Sequence, residues 1–257
     1  MRTIILAGGL GTRLSEETIS VPKPMVTIGG KPMLWHIMKI YSHYGHRDFV
    51  VCLGYKGEVI KEWLLNLDRF DGSFEIDLTS GALKPLGDSQ REPWTVMALE
   101  TGQDTQTGGR LKRALEAVDD EEVFVTYGDG VADVDLDALL AFHRGHGKLA
   151  TVTAVRPPAR FGRLHLDGDE VTRFGEKTQS EEGWINGGFF VLNRSVGDYI
   201  AGDSTLWEKE PLSTLASEGQ LMAFRHDGYW QPMDTLRERH DLESQWHGGG
   251  APWKLWN

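Results

Sequence analysis

Apolar and polar positions alternate between two periods along the first 155 residues. Short apolar runs at 1–7, 47–53, 94–99, 122–127 and 149–155 each predict a buried strand. Between them, apolar positions recur at three- and four-residue spacing over about 33–44, 56–67, 109–118 and 136–146, the mark of helices with one buried face. Pro32 suits the first turn of its helix, where a missing N–H costs nothing. Asp135 suits a cap before Leu136. Strands separated by helices predict an α/β fold, a Rossmann-like, mostly parallel sheet flanked by helices.

From about residue 156 the pattern changes. Residues 163–166, 171–174 and 189–192 read as short strands joined by glycine and acidic turns, and a last helix is expected over about 235–246. The chain therefore reads as one domain with two halves, 1–155 and a more antiparallel 156–257. Residues 71–93, with Gly72, Gly81, Pro85 and Gly87, have irregular periodicity and suggest a mobile or intersubunit excursion.

Charge and composition narrow the function. The 257 residues carry a net charge of −11, which argues against a nucleic-acid partner, since such proteins show a basic footprint. No run approaches the length of a membrane span, and residues 1–7 pass into a glycine loop without a signal-peptide pattern. The lone Cys52 lies in Phe49-Val50-Val51-Cys52-Leu53 and reads as a packed core thiol. A soluble, cytoplasmic protein is expected.

The chemistry begins where the first strand ends. Leu6-Ala7 runs into Gly8-Gly9-Leu10-Gly11-Thr12-Arg13-Leu14, and Pro22-Lys23-Pro24 follows. Glycines let backbone N–H groups approach a ligand closely, while Arg13 and Lys23 add positive charge. Leu14 stands where a dinucleotide fingerprint needs its third glycine, and Gly30-Lys31 is followed by Pro32 where a P-loop needs Ser or Thr. A nucleoside triphosphate fits better than either. Both the glycine loop after Ala7 and Asp129 after Tyr127 follow strands, where ligands gather in parallel sheets.

These residues resemble the signature of the sugar-1-phosphate nucleotidyltransferases. Thr107-Gly108-Gly109-Arg110, Thr126-Tyr127-Gly128-Asp129-Gly130, Ile185-Asn186-Gly187-Gly188 and Trp230-Gln231-Pro232-Met233-Asp234 resemble the branch of that family that uses CTP and glucose 1-phosphate. The resemblance covers essentially the whole chain. It implies a Mg²⁺-dependent transferase that forms CDP-glucose and pyrophosphate, a supply step for deoxysugars of bacterial surface polysaccharide, and a homo-oligomer. The first half would bind nucleotide and the second the sugar phosphate.

Such a transfer needs alignment and charge neutralisation rather than a general base, because a sugar phosphate is already an anionic nucleophile. Asp129 and Asp234 are the expected metal ligands, a choice the resemblance also implies. Asp234 directly precedes Thr235-Leu236-Arg237-Glu238, so helix capping competes for its carboxylate. Arg13 is expected on the triphosphate. Lys23, between prolines that favour extended backbone, is expected on the transferring phosphate. Leu6, Ala7, Gly8, Gly9, Leu10, Gly11, Thr12, Asp104, Thr107, Gly109 and Gly128 are expected to complete the nucleotide site, with the Asp104–Gly109 loop framing the base. The resemblance assigns Lys177 to the sugar 1-phosphate, although Thr178 stands where many relatives carry proline. Asn186, Gly187 and Gly188 serve sugar hydroxyls or form a plain turn. Arg110 either contacts phosphate or braces the structure.

UTP or dTTP use, and a non-catalytic sugar-nucleotide sensor, remain the alternatives. His143 and His146 lack the glutamate of a zinc-protease motif and read as surface residues. Trp246, Trp253 and Trp256 are expected to pack the carboxyl-terminal tail.

Overall fold

The computed structural model describes residues 1–9, 21–67, 73–86, 91–157, 163–167, 170–175 and 183–256. Seven strands form the main sheet. They are β1 (Thr3–Leu6), β4 (Asp48–Leu53), β7 (Thr95–Glu100), β8 (Glu122–Tyr127), β10 (Ala150–Val155), β13 (Ile185–Asn193) and β14 (Leu221–His226). Their order is β14-β10-β13-β8-β1-β4-β7, with β13 running against the other six. Short pairs supply β2 (Thr27–Ile28), β3 (Lys31–Pro32), β9 (Gly130–Ala132), β11 (Arg163–Asp167), β12 (Glu170–Gly175) and β15 (Trp230–Pro232). The second half of the chain is the more antiparallel one, and it contributes β13 and β14 to the same sheet as the first.

The helices are α1 (Met33–His43), α2 (Gly57–Asn66), α3 (Thr107–Glu116), α4 (Leu136–His146), α5 (Glu210–Ser217) and α6 (Leu236–His247). They cover both faces because successive strand residues point opposite ways. On one face Ile4, Leu6, Val50, Val125 and Phe190 meet Leu111, Leu215 and Trp207. On the other, Ile5, Val51, Phe124 and Phe189 meet Ile37, Ile60, Leu139 and Leu242. Burying each such side chain is worth about 1.5–3 kcal/mol, so the two cores fix the register of the sheet.

Several expectations need correction. Pro32 sits one residue before its helix, as the cap position of α1, not within the first turn. His143 is not a surface residue: it is 3% exposed, and its Nδ1 lies 2.8 Å from Thr151 Oγ1. His146 Nε2 meets the same hydroxyl at 2.7 Å. Within the irregular stretch 71–93 the chain forms a hairpin, β5 (Ser73–Asp77) with β6 (Ala82–Leu86), an addition to the expected elements rather than a correction. Its Phe74, Ile76, Leu83 and Leu86 are exposed.

Other features agree. Asp135 caps α4, accepting from Ala138 N at 2.9 Å. Cys52 is buried, and burial pushes its thiol pKa up to about 12, against a small opposing pull from Arg110. The tail tryptophans pack on their own chain: Trp253 donates to His36 Nδ1 at 3.3 Å, and Trp246 stacks on Trp253.

Candidate active site

The site lies at the carboxyl ends of β1 and β8, where Gly128 decides the first approach. A Cβ on Gly128 would stand 2.8 Å from Pro24 Cγ and 3.2 Å from Leu6 O. Glycine therefore lets the Pro22-Lys23-Pro24 segment cross directly over the strand ends. The two prolines predict extended backbone at Lys23, but the segment forms a 3₁₀ turn over Lys23–Met25. Met25 N donates to Pro22 O at 2.8 Å and Val26 N to Lys23 O at 3.1 Å, and these bonds outweigh the local preference.

A second short ribbon brings in the far carboxylate. β9 pairs antiparallel with β15, Gly130 opposite Pro232, and Met233 N donates to Asp129 O at 2.8 Å. That register carries Asp234 to Asp129 across a hundred residues of chain. The competing demand on Asp234 is met by its neighbour. Thr235 caps α6 and Glu238 closes a capping box, its Oε2 accepting from Asp234 N at 2.8 Å and Thr235 N at 2.9 Å.

Lys23 joins the two carboxylates. Its Nζ donates to Asp129 Oδ2 and to Asp234 Oδ1, each at 2.6 Å, so those oxygens lie no farther apart than twice that distance. The lysine is 9% exposed. Burial alone would lower its pKa, but the charges and hydrogen bonds of Asp129 and Asp234 outweigh burial and hold it above the usual lysine range. Two hard carboxylate oxygens that converge on one cation are the donor type a divalent ion takes from a protein, its remaining ligands coming from substrate phosphates.

Arg110 resolves differently from Lys23. Its guanidinium is buried and contacts Leu53 O (2.9 Å), Thr101 Oγ1 (2.8 Å), Gly102 O (2.7 Å), Gly8 O (3.0 Å) and Gln103 O (3.1 Å). It braces the ends of β1, β4 and β7, the second of the two readings open to it.

The remaining expected residues divide by place. Leu6, Ala7 and Gly8 are buried at the end of β1, and Gly9 is exposed beyond it. Asp104 is exposed in the bend before α3. Thr107 Oγ1 donates to Glu208 Oε2 at 2.6 Å and accepts from Trp207 N at 3.0 Å, while a Cβ on Gly109 would stand 2.6 Å from Asp203 Cα. The Thr-Gly-Gly motif thus accommodates the 203–208 loop. Asn186, Gly187 and Gly188 open β13 beside Tyr127. Leu10, Gly11, Thr12, Arg13 and Lys177 lie outside the described residues. Tyr127, whose hydroxyl donates to Glu208 and accepts from Asn186, and Glu208 itself were not expected as part of the site.

The family model for nucleotidyl transferases matches residues 2–238. The chain belongs to the nucleotidyl transferase family. It is 55% identical to the glucose-1-phosphate cytidylyltransferase of Salmonella typhi over 257 residues, covering all of both chains. It is 45% identical to the probable glucose-1-phosphate cytidylyltransferase of Bacillus subtilis (strain 168), again over the whole of both. The crystal structure of HddC from Yersinia pseudotuberculosis has the same fold, with a TM-score of 0.71 and 23% identity, covering 95% of this chain and 99% of that one. An α/β sheet, mostly parallel and flanked by helices, is therefore this nucleotidyl transferase's framework. Among its described residues no helix is long and apolar enough to cross a membrane.

Proposed function

We propose that this nucleotidyl transferase moves CMP from CTP to α-D-glucose 1-phosphate, forming CDP-glucose and pyrophosphate. The observation that carries the reading is the Lys23 bridge between Asp129 and Asp234, set at the strand ends. Full-length identity of 55% to a glucose-1-phosphate cytidylyltransferase supports the choice of substrates.

In the reaction, a phosphate oxygen of glucose 1-phosphate forms a bond to the α-phosphorus of CTP. The bond from that phosphorus to the bridging oxygen breaks, and pyrophosphate leaves with the electron pair. The attacking oxygen is already anionic, so no side chain removes a proton. Lys23 donates to the transferring phosphate. Asp129 and Asp234 would hold Mg²⁺, which would supply charge neutralisation at the phosphate oxygens. Arg13 grips the triphosphate, and Lys177 the sugar phosphate. Asn186, with the backbone of Gly187 and Gly188, meets the hexose.

The net charge of −11 would repel both substrates in bulk, so the positive charge must be local. That local charge comes from the same residues. A cytoplasmic homo-oligomer without nucleic-acid partners completes the reading.

Pyrophosphate release tests it, with CTP, UTP and dTTP each offered alongside glucose 1-phosphate. CTP is expected to win by at least about a hundredfold, because a wrong base leaves buried polar groups unpaired. A chelator stops release and Mg²⁺ restores it. Preference for UTP or dTTP overturns the base assignment, and no release with any pair favours a sensor.

A further inference from the structure

Glu208 sits in the loop before α5, far in sequence from the motifs of the site, yet both its carboxylate oxygens are engaged there. One accepts from Thr107 Oγ1 at 2.6 Å and the other from the Tyr127 hydroxyl at 2.7 Å. An ionised carboxylate can only accept, so each hydroxyl spends its single proton on Glu208. Thr107 then accepts from Trp207 N, at 3.0 Å. The Tyr127 oxygen is likewise left as an acceptor, and Asn186 Nδ2 donates to it at 3.3 Å.

The polarity continues to the end of the chain of contacts. Asn186 Oδ1 accepts from Gly188 N at 2.8 Å, so the amide has its nitrogen toward Tyr127 and its oxygen toward the strand. Tyr127 itself has little room to move. A Cβ on Gly188 would stand 2.6 Å from Tyr127 Cδ2, so the ring packs against bare backbone, and Gly188 has φ +80. The ring also meets Phe190 edge to face, at 6.0 Å between centroids.

We propose that Glu208 is a positioning residue for the sugar. Through Tyr127 it fixes the orientation of the Asn186 amide, so that the second Nδ2 proton is offered to a hydroxyl oxygen of the hexose. Without the carboxylate, the Tyr127 hydroxyl proton can turn toward Asn186 Nδ2, donor against donor, and the amide is then held only through Oδ1 by Gly188 N. Glu208 would then govern which hexose 1-phosphate is accepted, while its other oxygen anchors the relay to the first turn of α3. The inference rests on the reading of Asn186 as a sugar contact.

Steady-state kinetics of the full chain test it, using CTP with glucose 1-phosphate, galactose 1-phosphate or mannose 1-phosphate. Tyr127→Phe and Glu208→Gln are each expected to raise the KM for glucose 1-phosphate about tenfold, the worth of one hydrogen bond. The KM for CTP should stay within about twofold, and preference for glucose over the other two sugars should narrow by a similar factor. In an Asn186→Ala background, Tyr127→Phe should change the KM less than about twofold, because coupled residues are not additive. Glu208 is exposed, so Glu208→Gln carries the test if Tyr127→Phe fails to fold. Equal shifts in both KM values, or additive effects in the cycle, overturn the relay. Wild-type protein that makes no CDP-glucose overturns the reading of the site instead.

Discussion

Lys23 and Arg110 are both buried cations near the ends of the central strands, and opposite kinds of partner hold them. Lys23 is bound by two carboxylates, Asp129 and Asp234, at 2.6 Å each. Arg110 contacts five uncharged oxygens contributed by the ends of three strands. A cation between carboxylates can give them up to another cation and turn to a phosphate. A cation dispersed over backbone carbonyls has its geometry fixed by the fold, and moving it leaves those carbonyls unpaired. The first arrangement is suited to turnover and the second to rigidity.

Asp129→Asn gives the sharpest separation. Removing one of the carboxylates around the cationic centre should cut turnover by about 10²–10³-fold, comparable to losing a preorganised electrostatic contact elsewhere. The unfolding midpoint should move little, because Asp129 is about one-third exposed, with side-chain accessibility of 35%. Pyrophosphate release and thermal melting measure the two. Near-normal turnover at limiting Mg²⁺ would remove Asp129 from the mechanism.

Arg110→Met should reverse the pattern, with stability bearing the larger share. Loss of a buried, hydrogen-bonded charge is expected to cost about 3 kcal/mol, read from urea unfolding. An unchanged midpoint would mean that the strand ends need no brace, and the contrast with Lys23 would fail.

His36 extends the comparison to a buried base with no carboxylate in hydrogen-bond contact among the described residues. Burial lowers its pKa to about 4, against smaller opposing pulls from the Ile28 carbonyl and Glu243. Its Nε2 donates to Ile28 O at 2.9 Å, and its Nδ1 accepts from the Trp253 indole. Here the folded pKa lies below the unfolded value of about 6.5, so the unfolded state binds more protons between them. The resulting stability is fully present above about pH 6.5 and falls as pH drops toward 4, by about 3 kcal/mol in all. Urea titrations across that range check it. A His36→Gln variant should lose most of this slope, and an unaltered slope would shift the cause to His143 or His46, whose pKa values are also lowered by burial.

The strands and helices were legible because apolar period is a local property, and Asp135 before Leu136 carries its cap in the sequence itself. Burial of His143 was legible too: Leu136, Leu139 and His143 recur on one helical face, and all three are buried. Reading the two histidines only for a metal motif missed that spacing. The meeting of Asp129 with Asp234 was inferred from residue chemistry and resemblance, not from pattern. The register that produces it belongs to β9 and β15, three residues each, too short to show a period. Glu208 lay beyond reach for a related reason. Its loop has no regular repeat, and its partners are Thr107 and Tyr127, far away in the chain.

The smallest effect separates a helix cap from the carboxylate beside it. Thr235→Ala removes the hydroxyl that accepts from Glu238 N at 3.3 Å and should cost about 1 kcal/mol of stability. Glu238 still accepts from Asp234 N in that variant, so turnover should fall by less than about threefold, within the range of one weakened contact. Glu238→Ala should cost a similar amount of stability, yet it also releases the Asp234 backbone and should lower turnover further. Equal turnover in the two variants would mean that the cap and the cationic centre are independent. A difference would show that the first turn of α6 holds Asp234 in register with Asp129, because Asp234 is the last residue before the cap and moves with it.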